Sequence, residues 1–211
     1  MSNEQYFAKQ PKSKSILSPD GASKHDQHVT WKVGTTDLHL TTDRGVFSRQ
    51  GLDAGTAVLI ENAPPPPRSG TFLDLGCGSG ALAITLATYS PQATIWAVDI
   101  NERAISLTRR NATSNHCRNV HAVGPEGVPP DTTFDLIWTN PPIRIGKKEL
   151  HTLLSTWLSR LSEHGQAWLV VNRNLGSDSL VAWLGEQGYD VSRHTSKRGY
   201  RVIHVAGRSG F

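Results

Sequence analysis

The chain has 211 residues, 37% hydrophobic and 19% charged, which excludes a disordered polar segment and suits one domain with a short appendage. A formal charge of +4 permits a polyanionic partner without requiring one, and two cysteines, Cys77 and Cys117, exclude a disulfide framework. The opening MSNEQYFAKQPKSKS lacks a secretory apolar core, and no apolar run nears the ~18 residues of a membrane helix, so a soluble cytoplasmic protein without a metal is expected.

Residues 1–27 are polar, rich in Lys, Ser and Gln, and interrupted by Pro11 and Pro19; they read as an extended arm. His28–Val33 and Asp37–Thr41 alternate well enough to form a hairpin turning at Gly34-Thr35. Asp53–Ala63 fits one helix, which stops at four consecutive prolines, Pro64–Pro67. That stiff tract divides 1–63, an arm, hairpin and helix packing on the rest, from a domain at 64–211.

Beyond the prolines strands and helices alternate. Strands are predicted at Thr71–Leu75, Thr94–Ile100, Val120–Val123, Phe134–Trp138, Gln166–Asn172 and near 189–194 and 200–206. Helices are predicted at Gly80–Thr88, Glu102–Asn115, Lys148–Leu161 and Ser179–Gly188. The alternation implies an α/β, doubly wound, Rossmann-like fold whose seven-stranded sheet is mostly parallel. The last two strands, joined by turn material at Ser196–Gly199, form an antiparallel hairpin at its end.

The stretch FLDLGCGSGALAITLA sets Gly76, Gly78 and Gly80 between a strand and a helix, where backbone can approach a ligand near unpaired helix N–H groups. Asp99 closes the next strand, where a carboxylate can accept from a ribose diol. Gly76-x-Gly78-x-x-Ala81 also fits the loose dinucleotide fingerprint, so spacing alone leaves NAD open. Asp74, two residues before Gly76, would repel a diphosphate and suits a ligand with an ammonium group, such as the methionine end of S-adenosylmethionine.

FDLIWTNPPIRIGKK ends a strand in Asn140-Pro141-Pro142. On a parallel sheet that tripeptide falls on the same rim as the glycine loop. The Asn140 carbonyl is an acceptor, and the prolines fix backbone carbonyls with no competing local N–H. Two acceptors aimed at one point suit a planar amino group. Its delocalised lone pair is a poor nucleophile until both N–H bonds are drawn toward acceptors. Ile143 can pack on a base, and Arg144, Lys147 and Lys148 can meet phosphates or simply be solvated. From Val191 onward, Arg193, Lys197, Arg198, Arg201 and Arg208 face no acid in sequence, a basic hairpin able to track a nucleic-acid backbone or to be plain surface.

The order DLGCGSG, AVDIN, FDLIWTNPPI resembles class I S-adenosylmethionine-dependent methyltransferases. Within them it is similar to the methyltransferase small-domain family, which includes ribosomal small-subunit RNA guanine-N2 methyltransferases. TTDRGVFSRQGLDAGTAVLIE upstream, GQAWLVVNRNLG and GYRVIHV downstream, and YFAKQPKSKS near the start extend the resemblance over nearly the whole chain. It implies that Asp74, Gly76, Gly78 and Gly80 hold the methionine part of S-adenosylmethionine, and Asp99 its ribose. Ile100 and the backbone at Gly124-Pro125 would border the adenine, and Phe47 and Ser48 would come over the cofactor. Asn140 and Pro141 would hold the target amine, Asn140 also bordering the cofactor, with Pro142, Ile143, Arg144 and Lys147 toward the substrate. Phe47 is equally a candidate core residue. Some ribosomal members carry a second, degenerate domain ahead of this one, for which the arm here is too short. Asn-Pro-Pro members also methylate adenine, protein glutamine and small molecules. The expected function is therefore methylation of a guanine exocyclic amine in small-subunit ribosomal RNA. Another planar nitrogen, or a non-catalytic RNA-binding module, is the alternative, and monomer and homodimer are equally compatible.

Overall fold

The computed structural model describes residues 27–42 and 52–207. In chain order they form β1 (Gln27–Val33), β2 (Thr36–Thr42), α1 (Ala54–Asn62), β3 (Thr71–Leu75), α2 (Ala81–Tyr89), β4 (Thr94–Val98), α3 (Glu102–Ser114) and β5 (Val120–Val123). Then come β6 (Phe134–Thr139), α4 (Lys147–Leu158), β7 (Leu161–Asn172), α5 (Ser177–Glu186), β8 (Asp190–Lys197) and β9 (Tyr200–Ala206). Seven strands make one sheet in the order β5-β4-β3-β6-β7-β9-β8, parallel from β5 to β7 and antiparallel at β7–β9 and β9–β8. The α/β doubly wound architecture expected from the alternation is present, with its C-terminal antiparallel hairpin. That hairpin turns at Arg198 (φ 51°) and Gly199 (φ 80°), as a two-residue loop matched to strand twist requires.

Both faces of the sheet are covered, which explains strands that read as near-continuous apolar runs. Leu73, Leu75, Ile137, Leu169 and Ile203 face Leu150, Leu154, Trp157, Leu180 and Leu184 of α4 and α5. Phe72, Ile95, Leu136, Trp168, Val170 and Val202 face Val58 and Leu59 of α1, Leu82 and Leu86 of α2 and Ile105 of α3.

The β1–β2 hairpin lies outside this sheet, on α2 and α3. Its Val29, Val33, Leu38 and Leu40 cluster with Ala81, Ile84 and Ala112. Trp31 Nε1 donates to Thr85 Oγ1 (3.1 Å). Two side-chain amides on α3 and its C-terminal end then act as a substitute strand. Asn111 exchanges hydrogen bonds with Thr41 (2.9 and 2.8 Å), and Asn115 does so with His39 (2.9 and 2.6 Å). Four helix residues advance about 6 Å and two strand residues about 6.7 Å, so amides four apart meet alternate residues of β2.

Several boundaries move by one to three residues, β4 ending at Val98 and β8 running to Lys197 among them, and the largest change falls between α4 and β7. The helix expected at Lys148–Leu161 ends at Leu158, and the strand expected to begin at Gln166 begins at Leu161. Leu161 pairs with Phe134, and the register slips before Leu136. A Cβ on Gly165 would lie 2.5 Å from Phe134 O, so the irregular strand needs glycine there.

Candidate active site

Strands β3 and β6 are neighbours, yet the chain reaches β6 only after building β4 and β5 on the other side of β3. Their C-terminal ends thus flank the point where strand order reverses, where ligands bind in open parallel sheets. The glycine loop leaves β3 there, and Asn140-Pro141-Pro142 leaves β6.

Gly76, Gly78 and Gly80 have φ of 76°, 55° and 87°, a region that side-chain-bearing residues avoid. Gly76 N and Cys77 N both donate to Val98 O (2.8 and 3.0 Å), folding the loop back over β4. A Cβ on Gly80 would lie 2.9 Å from Thr108 of α3. Asn111 ties the loop to the hairpin as well, since its Nδ2 donates to Ser79 O (2.8 Å) and to Thr41 O.

Asp74 is 1% exposed. One carboxylate oxygen accepts from Ala83 N (2.9 Å), while Oδ1 is buried and pairs with no described residue. Burial, reinforced by the nearby Asp99 charge, pushes this carboxyl up to about 7, against the pull of the Ala83 N–H. Asp99 accepts from Gly78 N (3.0 Å) and Asn101 N (2.9 Å), and burial raises its pKa too. The Ile100 backbone N–H also bonds this carboxylate, and of its roughly four lone pairs one remains for a ligand. Ile100 follows Asp99, and Pro125 opens the short turn after β5 where Gly127 N donates to Gly124 O (2.9 Å), so both lie on this rim. Cys77 is buried inside the loop. Burial and the two carboxylates push its thiol pKa well up, so it is not an activated nucleophile.

The two loops leave neighbouring strand ends side by side. Thr139 Oγ1 donates to Leu75 O (2.8 Å), and Pro142 Cδ is 4.0 Å from where a Cβ on Gly76 would stand. Asn140 is held from behind by the start of α1: its Nδ2 donates to Asp53 Oδ1 (2.6 Å) and Thr56 Oγ1 (3.1 Å). The expectation that the proline carbonyls lack a local N–H is not met. Ile143 N donates to Pro141 O (2.8 Å) and Ile145 N to Pro142 O (3.1 Å), leaving each one lone pair.

Ile143 packs partly against the α4 and α5 core, while Arg144, Lys147 and Lys148 line the outer side of the loop and the start of α4. Lys147 and Lys148 border an open groove with His151 and Trp183, whose rings stack 3.7 Å apart. The basic hairpin is partly paired within the molecule: Arg193 and Arg201 share Asp178, and Arg198 meets Glu61 at 3.0 Å. Phe47, Ser48 and Arg208 lie outside the described residues. Asp53, Thr56 and Asn111 escaped the sequence reading as site residues. The only local signal was an acid at the helix start, where capping explains it. Among the described residues no cluster of three or more His, Cys, Asp or Glu could hold a metal, and no helix is long and apolar enough to cross a membrane.

The residues present fit S-adenosylmethionine. An unpaired buried carboxylate oxygen lies beneath a glycine loop and a second carboxylate closes the adjoining strand, an arrangement suited to an ammonium and a diol rather than a diphosphate. Fold and site together define a class, the S-adenosylmethionine-dependent methyltransferases. Residues 37–204 match the family Methyltransferase small domain, and the chain belongs to that family.

Among relatives, Bacillus subtilis "Uncharacterized protein YbxB" is 33% identical over 95% of this chain and 97% of its own. Ribosomal RNA large subunit methyltransferase G of Vibrio cholerae is 30% identical over 88% of this chain and 51% of its own. Ribosomal RNA small subunit methyltransferase C of Acinetobacter baylyi is 31% identical over 85% and 54%. The chain thus spans about half the length of these ribosomal RNA methyltransferases. In fold it is similar to the T. thermophilus 16S rRNA N2 G methyltransferase RsmC in complex with AdoMet and guanosine. The TM-score there is 0.74 at 22% identity, over 88% of this chain and 51% of that one.

Proposed function

We propose that this protein methylates the exocyclic amine of a guanine in ribosomal RNA, with the small subunit as the leading target. The observation that carries the reading is the placement of two loops side by side at one rim, a cofactor-type glycine loop and Asn140-Pro141-Pro142.

Bound S-adenosylmethionine supplies an electrophilic methyl on a sulfonium. The free Asp74 oxygen would meet the ammonium of its methionine end, Asp99 the ribose diol, and Ile100 with Pro125 the adenine. Phe47 and Ser48 belong to the same proposal through the family resemblance. Asn140 Oδ1 and the remaining Pro141 lone pair would accept the two amine N–H bonds. That favours a pyramidal nitrogen and stabilises the positive charge growing there during attack. The amine nitrogen gains the methyl as the methyl carbon–sulfur bond breaks, the sulfur leaves as a neutral thioether, and the nitrogen's extra proton passes to water; no protein nucleophile is consumed, in keeping with the inert Cys77. Pro142 and Ile143 would border the base, and Arg144, Lys147 and Lys148 would meet phosphates.

RNA as substrate is supported by the ribosomal RNA methyltransferases among the relatives and by the cations that follow the loop. The stacked His151–Trp183 pair beside two lysines is chemistry a nucleic-acid strand can use. The test is transfer of labelled methyl from S-adenosylmethionine to deproteinised ribosomal RNA, to small subunits and to large subunits, followed by nucleoside analysis. N2-methylguanosine from small-subunit RNA is expected. Label confined to large subunits would correct the target, and label on protein alone would overturn the RNA reading.

A further inference from the structure

An asparagine amide has two chemically opposite ends, and a site that selects an amine must present the oxygen. What stands behind Asn140 decides which end turns to the ligand. Nδ2 lies 2.6 Å from Asp53 Oδ1 and 3.1 Å from Thr56 Oγ1. A carboxylate only accepts, so a flipped amide would set oxygen against oxygen, and a short charge-assisted bond would become a repulsion. Among the described residues both side-chain contacts of Asn140 are made through Nδ2, leaving Oδ1 for a ligand.

We propose that Asp53 and Thr56 are positioning residues that lock the Asn140 amide with Oδ1 toward the target. In that orientation the site takes an N–H donor and rejects a carbonyl oxygen at the same place. The proposal deepens the methyl-transfer reading and rests on it.

The lock is built on a fixed base. Asp53 is the N-cap of α1, and the oxygen that receives Asn140 also accepts from Thr56 N (3.0 Å). Val58 and Leu59 one turn on are fully buried, which holds the helix to the sheet. Gly55 lets the first turn press on β9, since a Cβ there would lie 2.9 Å from the Tyr200 ring. Capping alone would be met equally well by serine, threonine or asparagine. Reaching Asn140 as well requires the longer side chain.

Asp53→Ser separates the two roles, because serine caps a helix but is too short to reach Asn140. Three measurements are made on the full chain: methyl transfer to ribosomal subunits, S-adenosylmethionine affinity by calorimetry, and the Asn140 side-chain NH2 resonances of 15N-labelled protein, assigned by their loss in Asn140→Ala. Asp53→Ser is expected to lower kcat about 10- to 100-fold, as a displaced positioning contact does, with cofactor Kd and Tm little changed. Its NH2 resonances should shift and exchange faster with water. Asp53→Asn, which keeps an oxygen in place, should recover most of the lost rate. In an Asn140→Ala background Asp53→Ser should cost nothing further, because one residue acts through the other. NH2 resonances unmoved by Asp53→Ser, or losses that multiply in the double variant, would overturn the lock. Full activity in Asn140→Ala would instead sink the catalytic reading, and the resonances would still decide whether Asp53 holds the amide.

Discussion

In the role proposed for Asp74, its buried carboxyl makes cofactor binding depend on pH. Its pKa of about 7 arises first from burial, with the Asp99 charge adding and the Ala83 N–H subtracting. A ligand ammonium favours the ionised form, so binding draws on the deprotonated fraction only. Apparent affinity then falls by a factor of 1 + 10^(7 − pH), about elevenfold at pH 6, about twofold at pH 7 and negligibly at pH 8.5. Above about pH 8 a ligand α-amino group loses its own proton, so affinity should peak between roughly 7 and 8. Stability of the free protein should run the opposite way. The folded pKa lies above the unfolded value of 3.8, so the fold holds a proton that the unfolded chain releases. The contribution is full below about 4 and is lost as pH rises through about 7. Calorimetry at pH 6 in buffers of different ionisation enthalpy should show nearly one proton released per cofactor bound. Asp74→Asn should bind more weakly with a flat profile from pH 6 to 7.5. A flat profile in the unsubstituted protein would refute the reasoning, and a slope that survives in Asp74→Asn would transfer the titration to Asp99.

Two further substitutions test the supports of the glycine loop. Gly80→Ala must place a side chain at φ 87° and 2.9 Å from Thr108, so a loss of roughly 2–3 kcal/mol and weaker cofactor binding are expected by thermal melting and calorimetry. Asn111→Ala strips Thr41 N, Thr41 O and Ser79 O of their partners at a site 1% exposed. A stability loss of about 1–3 kcal/mol should follow, with faster hydrogen exchange at Thr41.

The parts of this molecule legible in sequence are those whose signal is local. Thr71–Leu75 and Phe134–Trp138 are apolar runs ended by glycine or proline, and the strands stop within a residue of that punctuation. Asp74, the glycines and Asp99 fall within one βαβ unit, so their spacing fixes their placement. Leu161–Gly165 hid because Glu163 and His164 face solvent on an irregular strand. Nothing in LSEHG alternates until Phe134 supplies a partner. The basic residues from Val191 onward have no acid among themselves, but Asp178 on α5 and Glu61 on α1 reach Arg193, Arg198 and Arg201 across the fold. Asp53 is the plainest case. Its capping of α1 involves Thr56, three residues on, whereas its bond to Asn140 spans 87 residues and exists only once α1 packs on the sheet.

That last contact changes how the segment before Pro64–Pro67 should be understood. The sheet supplies both loops of the candidate site, but each is held by a residue or backbone group from the other side of the proline tract. Thr41 shares Asn111 with Ser79 of the glycine loop, and Asp53 with Thr56 holds Asn140. A sheet rim alone leaves an asparagine amide free to rotate, because a strand end fixes the backbone and not the side chain. A carboxylate on a helix packed behind it removes that freedom before any ligand arrives, so the ordering cost is met in folding rather than in binding or in the transition state. In the proposed mechanism the hairpin and α1 supply orientation, while β3 and β6 supply proximity. The proposed methyl transfer to a weakly nucleophilic amine needs both, since alignment is its main requirement.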